Sequence, residues 1–178
     1  VTAAAGFNWS EVSYNFGSTT ETNTTIGVGC QVVSTTTLNR CADDFSVPVG
    51  QTWTINQVVL FAYQTNFAGV TSPFVGVNLQ IWNGRPGDPG STIIFGDTTT
   101  NRLAGSSFSN IYRTLDTDLT NSQRPIMADV VTVNTTLPAG TYWLDWQTGG
   151  TLSSGPWAPP VTILGQTGKP GANAQQSV

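Results

Sequence analysis

Alternation of apolar and polar positions with a period of two runs through most of the chain. In FVGVNLQIW, Val75, Val77, Leu79 and Ile81 fall on one face of an extended strand, and Phe74, Gly76, Asn78, Gln80 and Trp82 on the other. QTWTINQVVLFAYQT carries two overlapping registers, with Trp53, Ile55, Val59, Phe61 and Tyr63 on one face and Val58, Leu60 and Ala62 on the other. Apolar residues on both faces suit the middle of a sheet, with a bulge near Gln57 where the registers change. TYWLDWQ sets Tyr142, Leu144 and Trp146 against Trp143, Asp145 and Gln147. Further strands are expected in FNWSEVSYNF, TIGVGCQVV, ADDFSVP, STIIFG, around NIYRTL, and in IMADVVTVNT and PVTIL. Gly, Pro and Thr-rich turns interrupt every apolar run before a period of 3.6 develops, so essentially no helix is expected.

Turn chemistry separates these runs at VPVGQ, NGRPGDPGS, LPAGT and TGGTLSSGP, where Pro fixes φ and Gly permits positive φ. Many short strands with such breakers predict an all-β fold: an antiparallel β-sandwich, jelly-roll-like, with an immunoglobulin-like strand order as the second choice. The 178 residues suit one domain over 1–178. Within it, 1–16 reads as an N-terminal extension. The polar tail 165–178 holds nothing apolar enough to close a sheet, which leaves open what covers the edge behind PVTIL.

Composition narrows the function classes. Charged residues are 9 % of the chain, so Thr, Ser, Asn, Gln and Gly must carry solubility. The net charge of −4 has no acidic run behind it, and Arg40, Arg85, Arg102, Arg113, Arg124 and Lys169 are scattered, which argues against nucleic acid as a partner. No apolar stretch has the length of a membrane span, and no membrane insertion is expected. VTAAAG at the start reads as the segment left by removal of a signal peptide, which predicts a secreted, extracellular or cell-surface protein. Sequons at Asn8, Asn23 and Asn134 are what a chain this rich in Asn, Ser and Thr produces by chance.

Cys30 and Cys41 bracket GCQVVSTTTLNRC, and in a secreted chain a disulfide is the expected reading, with two buried thiols or a metal or redox site as alternatives. With no histidine, Ser-His-Asp and Cys-His schemes are excluded. A glycosidase-like pair drawn from Asp43, Asp44, Asp88, Asp97, Asp116, Asp118, Asp129 and Asp145 is the route left, and no enzyme is expected. No cofactor is expected either, apart from a weak Ca²⁺ candidate at Asp43 and Asp44, whose bland reading is a loop carboxylate accepting backbone N–H bonds. Asp116-Thr117-Asp118 has calcium-loop spacing, but the following LTNSQRPI lacks the Gly and closing Glu.

Six tryptophans raise a second binding class, stacking on sugar rings. Trp82, Asn83, Trp143, Asp145, Gln147 and Trp157 are the candidate carbohydrate-binding positions, against the alternative that these rings pack the core. The loop NGRPGDPGS, with Arg85 and Asp88, reads either as a turn or as a protruding contact.

At ADDFSVPVGQTWTI, VGVNLQIWNGRPGDPGSTIIFGD, TNRLA, IYRTL, LPAGTYWLDWQTGG and GPWAPPVTILG the chain resembles secreted microbial cell-surface β-sandwich domains without a defined activity, over roughly Ala42 to Gly165. The resemblance implies a jelly-roll-like fold and a surface location. Such domains continue with a further stretch ending in a short apolar strand, which this chain lacks. An unpaired edge invites a strand from another chain. The expectation is therefore a non-catalytic structural or adhesive module that associates with copies of itself into a filament or array. Phe7, Trp9, Val12, Tyr14 and Phe16 would form the donor strand, and Val161 and Ile163 would lie at the accepting edge. The alternative is a carbohydrate-binding module whose partners are glycans.

Overall fold

The computed structural model describes residues 27–32, 38–113, 120, 122–159 and 173–177. The expected donor residues Phe7, Trp9, Val12, Tyr14 and Phe16, the edge residues Val161 and Ile163, and Asp116 and Asp118 lie outside the described residues. Among those residues the fold is all-β and sandwich-like, with no helix. The strands are β1 (Val28–Gly29), β2 (Gln31–Val32), β3 (Arg40–Ala62), β4 (Phe74–Trp82), β5 (Ile93–Asp97), β6 (Leu103–Tyr112), β7 (Pro125–Gly150), β8 (Trp157–Ala158) and β9 (Gln175–Ser177).

One sheet runs β5-β4-β7-β3-β9, with β2 and β6 also paired to β7, while β1 and β8 form a separate pair. All pairings are antiparallel except the short one between β2 and β7. The long ribbon of β3 and β7 organises the rest. Its first half joins Cys41–Val47 to Gly140–Trp146 and is flanked by β4 and β9. Its second half joins Thr52–Ala62 to Met127–Pro138 and is flanked by β6.

The sequence signals VPVGQ and LPAGT were expected to end strands; instead they face each other inside the ribbon. Val47 pairs with Gly140 and Thr52 with Pro138, so four residues of β3 bulge against one of β7. Proline cannot donate to a ladder, and Gly50 takes a φ of 80°, so both breakers are accommodated by a bulge rather than a chain reversal. The second bulge falls between Ile55 and Gln57, as the register change predicted.

The bends fold the sheet back over itself. The Arg102 N–H bonds to Val77 of β4, and the Arg102 carbonyl accepts the Thr132 N–H of β7, stitching the two halves together. Val77, Leu79, Ile81, Leu144 and Trp146 from one half and Leu60, Val131, Val133 and Leu137 from the other then share one core. In β4 the expected alternation holds for Val77, Leu79 and Ile81 but not for Val75, which is exposed while Phe74 is buried. A register shift between Phe74 and Gly76 moves the pleat by one residue there.

Part of the polar tail also differs from expectation. Gln175–Ser177 pairs with Arg40–Ala42 and covers that stretch of the β3 edge. Backbone ladders need no apolar side chain, and Gln176 adds a 2.7 Å bond from its amide to the Gly29 carbonyl.

Candidate functional site

The pleat of TYWLDWQ sends Leu144 and Trp146 into the core and Trp143, Asp145 and Gln147 to the opposite face of the sheet. Cross-strand register then fixes their neighbours: Trp82 beside Trp143, Gln80 beside Asp145 and Asn78 beside Gln147 on β4, with Arg40 at the start of β3 on the other side. Arg40 is the hub of this face. Its Nε donates to Asp145 Oδ1 at 2.7 Å, and Nη1 donates to Asn78 Oδ1 at 2.6 Å and Gln147 Oε1 at 3.1 Å. Its Nη2 reaches the Asp145 carbonyl at 3.3 Å. Trp82 Nε1 donates to Asp145 Oδ2 at 3.2 Å, and Asn78 Nδ2 donates to Gln147 Oε1 at 3.3 Å.

This network is closed. Both oxygens of Asp145 are engaged, and the side chains of the ion pair are only 14 % and 7 % exposed. Burial raises the Asp145 carboxyl above its ordinary value, against the pull of the Arg40 charge and of the bonds from Arg40 and Trp82. Trp143 is buried and Trp82 half-buried, with the indole N–H of Trp82 committed. The arrangement clamps three strands together and leaves no free carboxylate oxygen for proton transfer.

Of the expected sugar-binding positions, the fold brings together Trp82, Trp143, Asp145 and Gln147 and places two elsewhere. Asn83 closes the base of the NGRPGDPGS loop, its Oδ1 accepting the Thr92 N–H at 2.7 Å. Two backbone turns follow in that loop, Asp88 N–H to the Arg85 carbonyl and Ser91 N–H to the Asp88 carbonyl, with Gly87 and Gly90 at positive φ. Trp157 lies in β8, bonded through its backbone to Tyr63 at 2.9 and 3.0 Å.

The calcium candidate is not assembled. Asp43 and Asp44 are successive residues of β3 and point to opposite faces. Asp43 is buried and its Oδ1 accepts the Asp44 N–H at 3.0 Å, whereas Asp44 accepts the Asn173 amide at 2.7 Å. Among the described residues no group of three His, Cys, Asp or Glu side chains could hold a metal. Register puts Asp43, paired with Leu144, and Asp97, paired with Leu79, in core-facing rows and Asp145 on the other face; Asp44, paired with Trp143, shares the face of Asp145 but its carboxylate is taken by Asn173. Asp97 caps the loop after β5, accepting the Thr99 and Thr100 N–H groups and both hydroxyls, which holds its carboxyl well below the usual range.

Cys30 and Cys41, the expected disulfide pair, are both buried, and in this structure their thiols are free. They are neighbours in the fold: the Cys41 thiol donates to the carbonyl of Gly29, the residue before Cys30, at 3.5 Å.

Sequence reasoning weighed Asp129 for catalysis but did not anticipate its burial. Asp129 is in the core row of β7 with Met127, Val131 and Val133, and is fully buried. Ser106 Oγ lies 2.5 Å from Asp129 Oδ1 and 2.6 Å from Ser72 Oγ, while Oδ2 has no hydrogen-bond partner. Burial pushes this carboxyl up to about 7, opposed by the Ser106 bond. The signal was present in IMADVVTVNT, where Asp129 occupies an alternate position otherwise held by Met and Val.

No family model, curated protein or solved structure matches this chain.

Proposed function

We propose that this chain is a non-catalytic extracellular structural or adhesive module that associates with copies of itself through its sheet edges. The observation that carries the reading is a pair of open, nearly uncharged edges. Among the described residues, β5 pairs only with β4 and β6 only with β7. The ten-residue β6, LAGSSFSNIY, has no charged side chain, and β5, IIFGD, has Asp97 alone. Ile93, Ile94, Ile111 and Tyr112 on these strands are exposed.

Sheet edges are ordinarily protected by Lys, Pro, inward charges or cover. Neither strand has a Lys or a Pro, and a strand of a second copy could extend the ladder. If the two edges pair with each other, the contact is head-to-tail and propagates wherever its rotation does not close a ring. The surface location rests on the resemblance at LPAGTYWLDWQTGG and its companion motifs and on the hydroxyl-rich, weakly charged composition. The closed Arg40–Asp145 network supports the non-catalytic part.

The test is light scattering over a concentration series with electron micrographs of the same samples. Wild-type protein should form growing assemblies, and a variant with Ser107→Lys and Ile111→Lys on the exposed side of β6 should stay monomeric. A wild-type monomer at every concentration would sink the reading and turn attention to glycans at the Trp82 face.

A further inference from the structure

We propose that Cys30 and Cys41 are a cross-linking site, oxidised to one intramolecular disulfide while the chain folds and sealed from solvent afterwards. Their spacing alone left a disulfide, two thiols and a metal or redox site open. Adjacency and enclosure are what the fold adds. Both residues approach the same stretch of β7: Cys41 pairs with Trp146, and the Cys30 carbonyl accepts the Thr148 N–H. The Cys30 thiol donates to the Trp146 carbonyl at 3.2 Å and the Cys41 thiol to the Gly29 carbonyl at 3.5 Å. Both side chains belong to the main core, 1 % and 0 % exposed.

This environment fixes when the chemistry takes place. Burial, and then the neighbouring Cys41 side chain, raise the Cys30 thiol well above its ordinary value, so the attacking thiolate is scarce in the folded protein. Oxidation therefore belongs to the folding chain, with a low-molecular-weight disulfide such as oxidised glutathione as the oxidant. One cysteine thiolate attacks a sulfur of the oxidant, forming a mixed disulfide and releasing one small thiolate, which takes up a proton. The second cysteine thiolate then attacks the protein sulfur of the mixed disulfide, forming the Cys30–Cys41 bond and releasing the second small thiol. Two protein thiols are oxidised and one small disulfide is reduced to two thiols.

The bond removes the S–H donors to Trp146 and Gly29, both weak, and Gly29 retains the Gln176 amide on its carbonyl. In exchange it ties the segment of β1 and β2 to β3 beside the seat of β9. The metal alternative has no third ligand among the described residues.

The experiment is refolding of the full chain in reduced or oxidised glutathione, followed by alkylation in denaturant and intact mass. In oxidised glutathione the product should be two hydrogens lighter, unalkylated and free of glutathione, and should resist reductant until denaturant is added. Its melting temperature should exceed that of the reduced protein by about 5–10 °C, a difference absent when both cysteines carry Cys→Ala changes. Two alkylated cysteines, a glutathione adduct or a disulfide between chains after oxidative refolding would each overturn the proposal. If the double variant does not fold, oxidised and reduced wild-type protein decide the matter.

Discussion

Two aspartates show how differently one side chain behaves at two depths in this fold. Asp97 is held charged by four Thr donors, so its contribution is present above the ordinary carboxyl pKa and is lost as pH falls below it. Asp129 does the reverse. Its folded value of about 7 lies above the unfolded one, so between roughly pH 4 and 7 the native state holds a proton that the unfolded chain has released. Stability must fall across that window as pH rises, by on the order of 4 kcal/mol for a shift of about three units. Asp129→Asn keeps the size of the side chain and removes the charge. It should leave stability near pH 4 almost unchanged and raise it by about 2–4 kcal/mol at pH 8, read by denaturant unfolding at both values. An equal fall in stability from pH 4 to 8 in wild type and variant would show that another group titrates. The Arg40–Asp145 pair gives a second residue-scale expectation. Arg40→Ala strands a buried carboxylate and should cost about 3–5 kcal/mol, whereas Arg40→Met with Asp145→Leu should cost far less. A double variant as unstable as the single one would mean that Arg40 acts through packing alone.

At the scale of elements, much was legible because the period of two is a local property. The strand FVGVNLQIW, the two-sided run ending in Phe61 and Ala62, and the bulge at Gln57 all lie where alternation placed them. What remained hidden depended on partners distant in sequence. VPVGQ and LPAGT each look like a chain reversal, and only their meeting across β3 and β7 makes them a bulge in one ribbon. Val75 faces out because of a register shift that its own alternation does not encode. Arg40 gave no signal as the hub of a network whose other members lie on β4 and β7, although the shared face of Asp145 and Gln147 was readable from TYWLDWQ. Gly96 ties β5 to this scheme. It takes a φ of 81°, and a Cβ there would collide with the Leu79 carbonyl of β4. Gly96→Val should release β5 from β4, seen as faster amide exchange over Ile93–Asp97 with β7 unchanged. Unaltered exchange would mean that the strand tolerates the side chain.

For the whole molecule, the claim is that edges rather than a pocket carry the function. The polar face around Arg40 is internally satisfied, and β9 occupies only the stretch of the β3 edge at Arg40–Ala42. Among the described residues β3 beyond Ala42, β5 and β6 leave ladder positions open, and the proposed contact uses those of β5 and β6, the two strands nearly free of charge. Self-association through them makes a specific statement about backbone amides, which is stronger than a statement about mass. The most direct measurement is hydrogen exchange on the wild-type chain, dilute and then concentrated. The account predicts that amides of Leu103–Tyr112 and Ile93–Asp97 gain protection as concentration rises while the exposed β3–β7 bulge around Val49 does not. Assembly without added protection at β5 and β6, or protection confined to other strands, would contradict it.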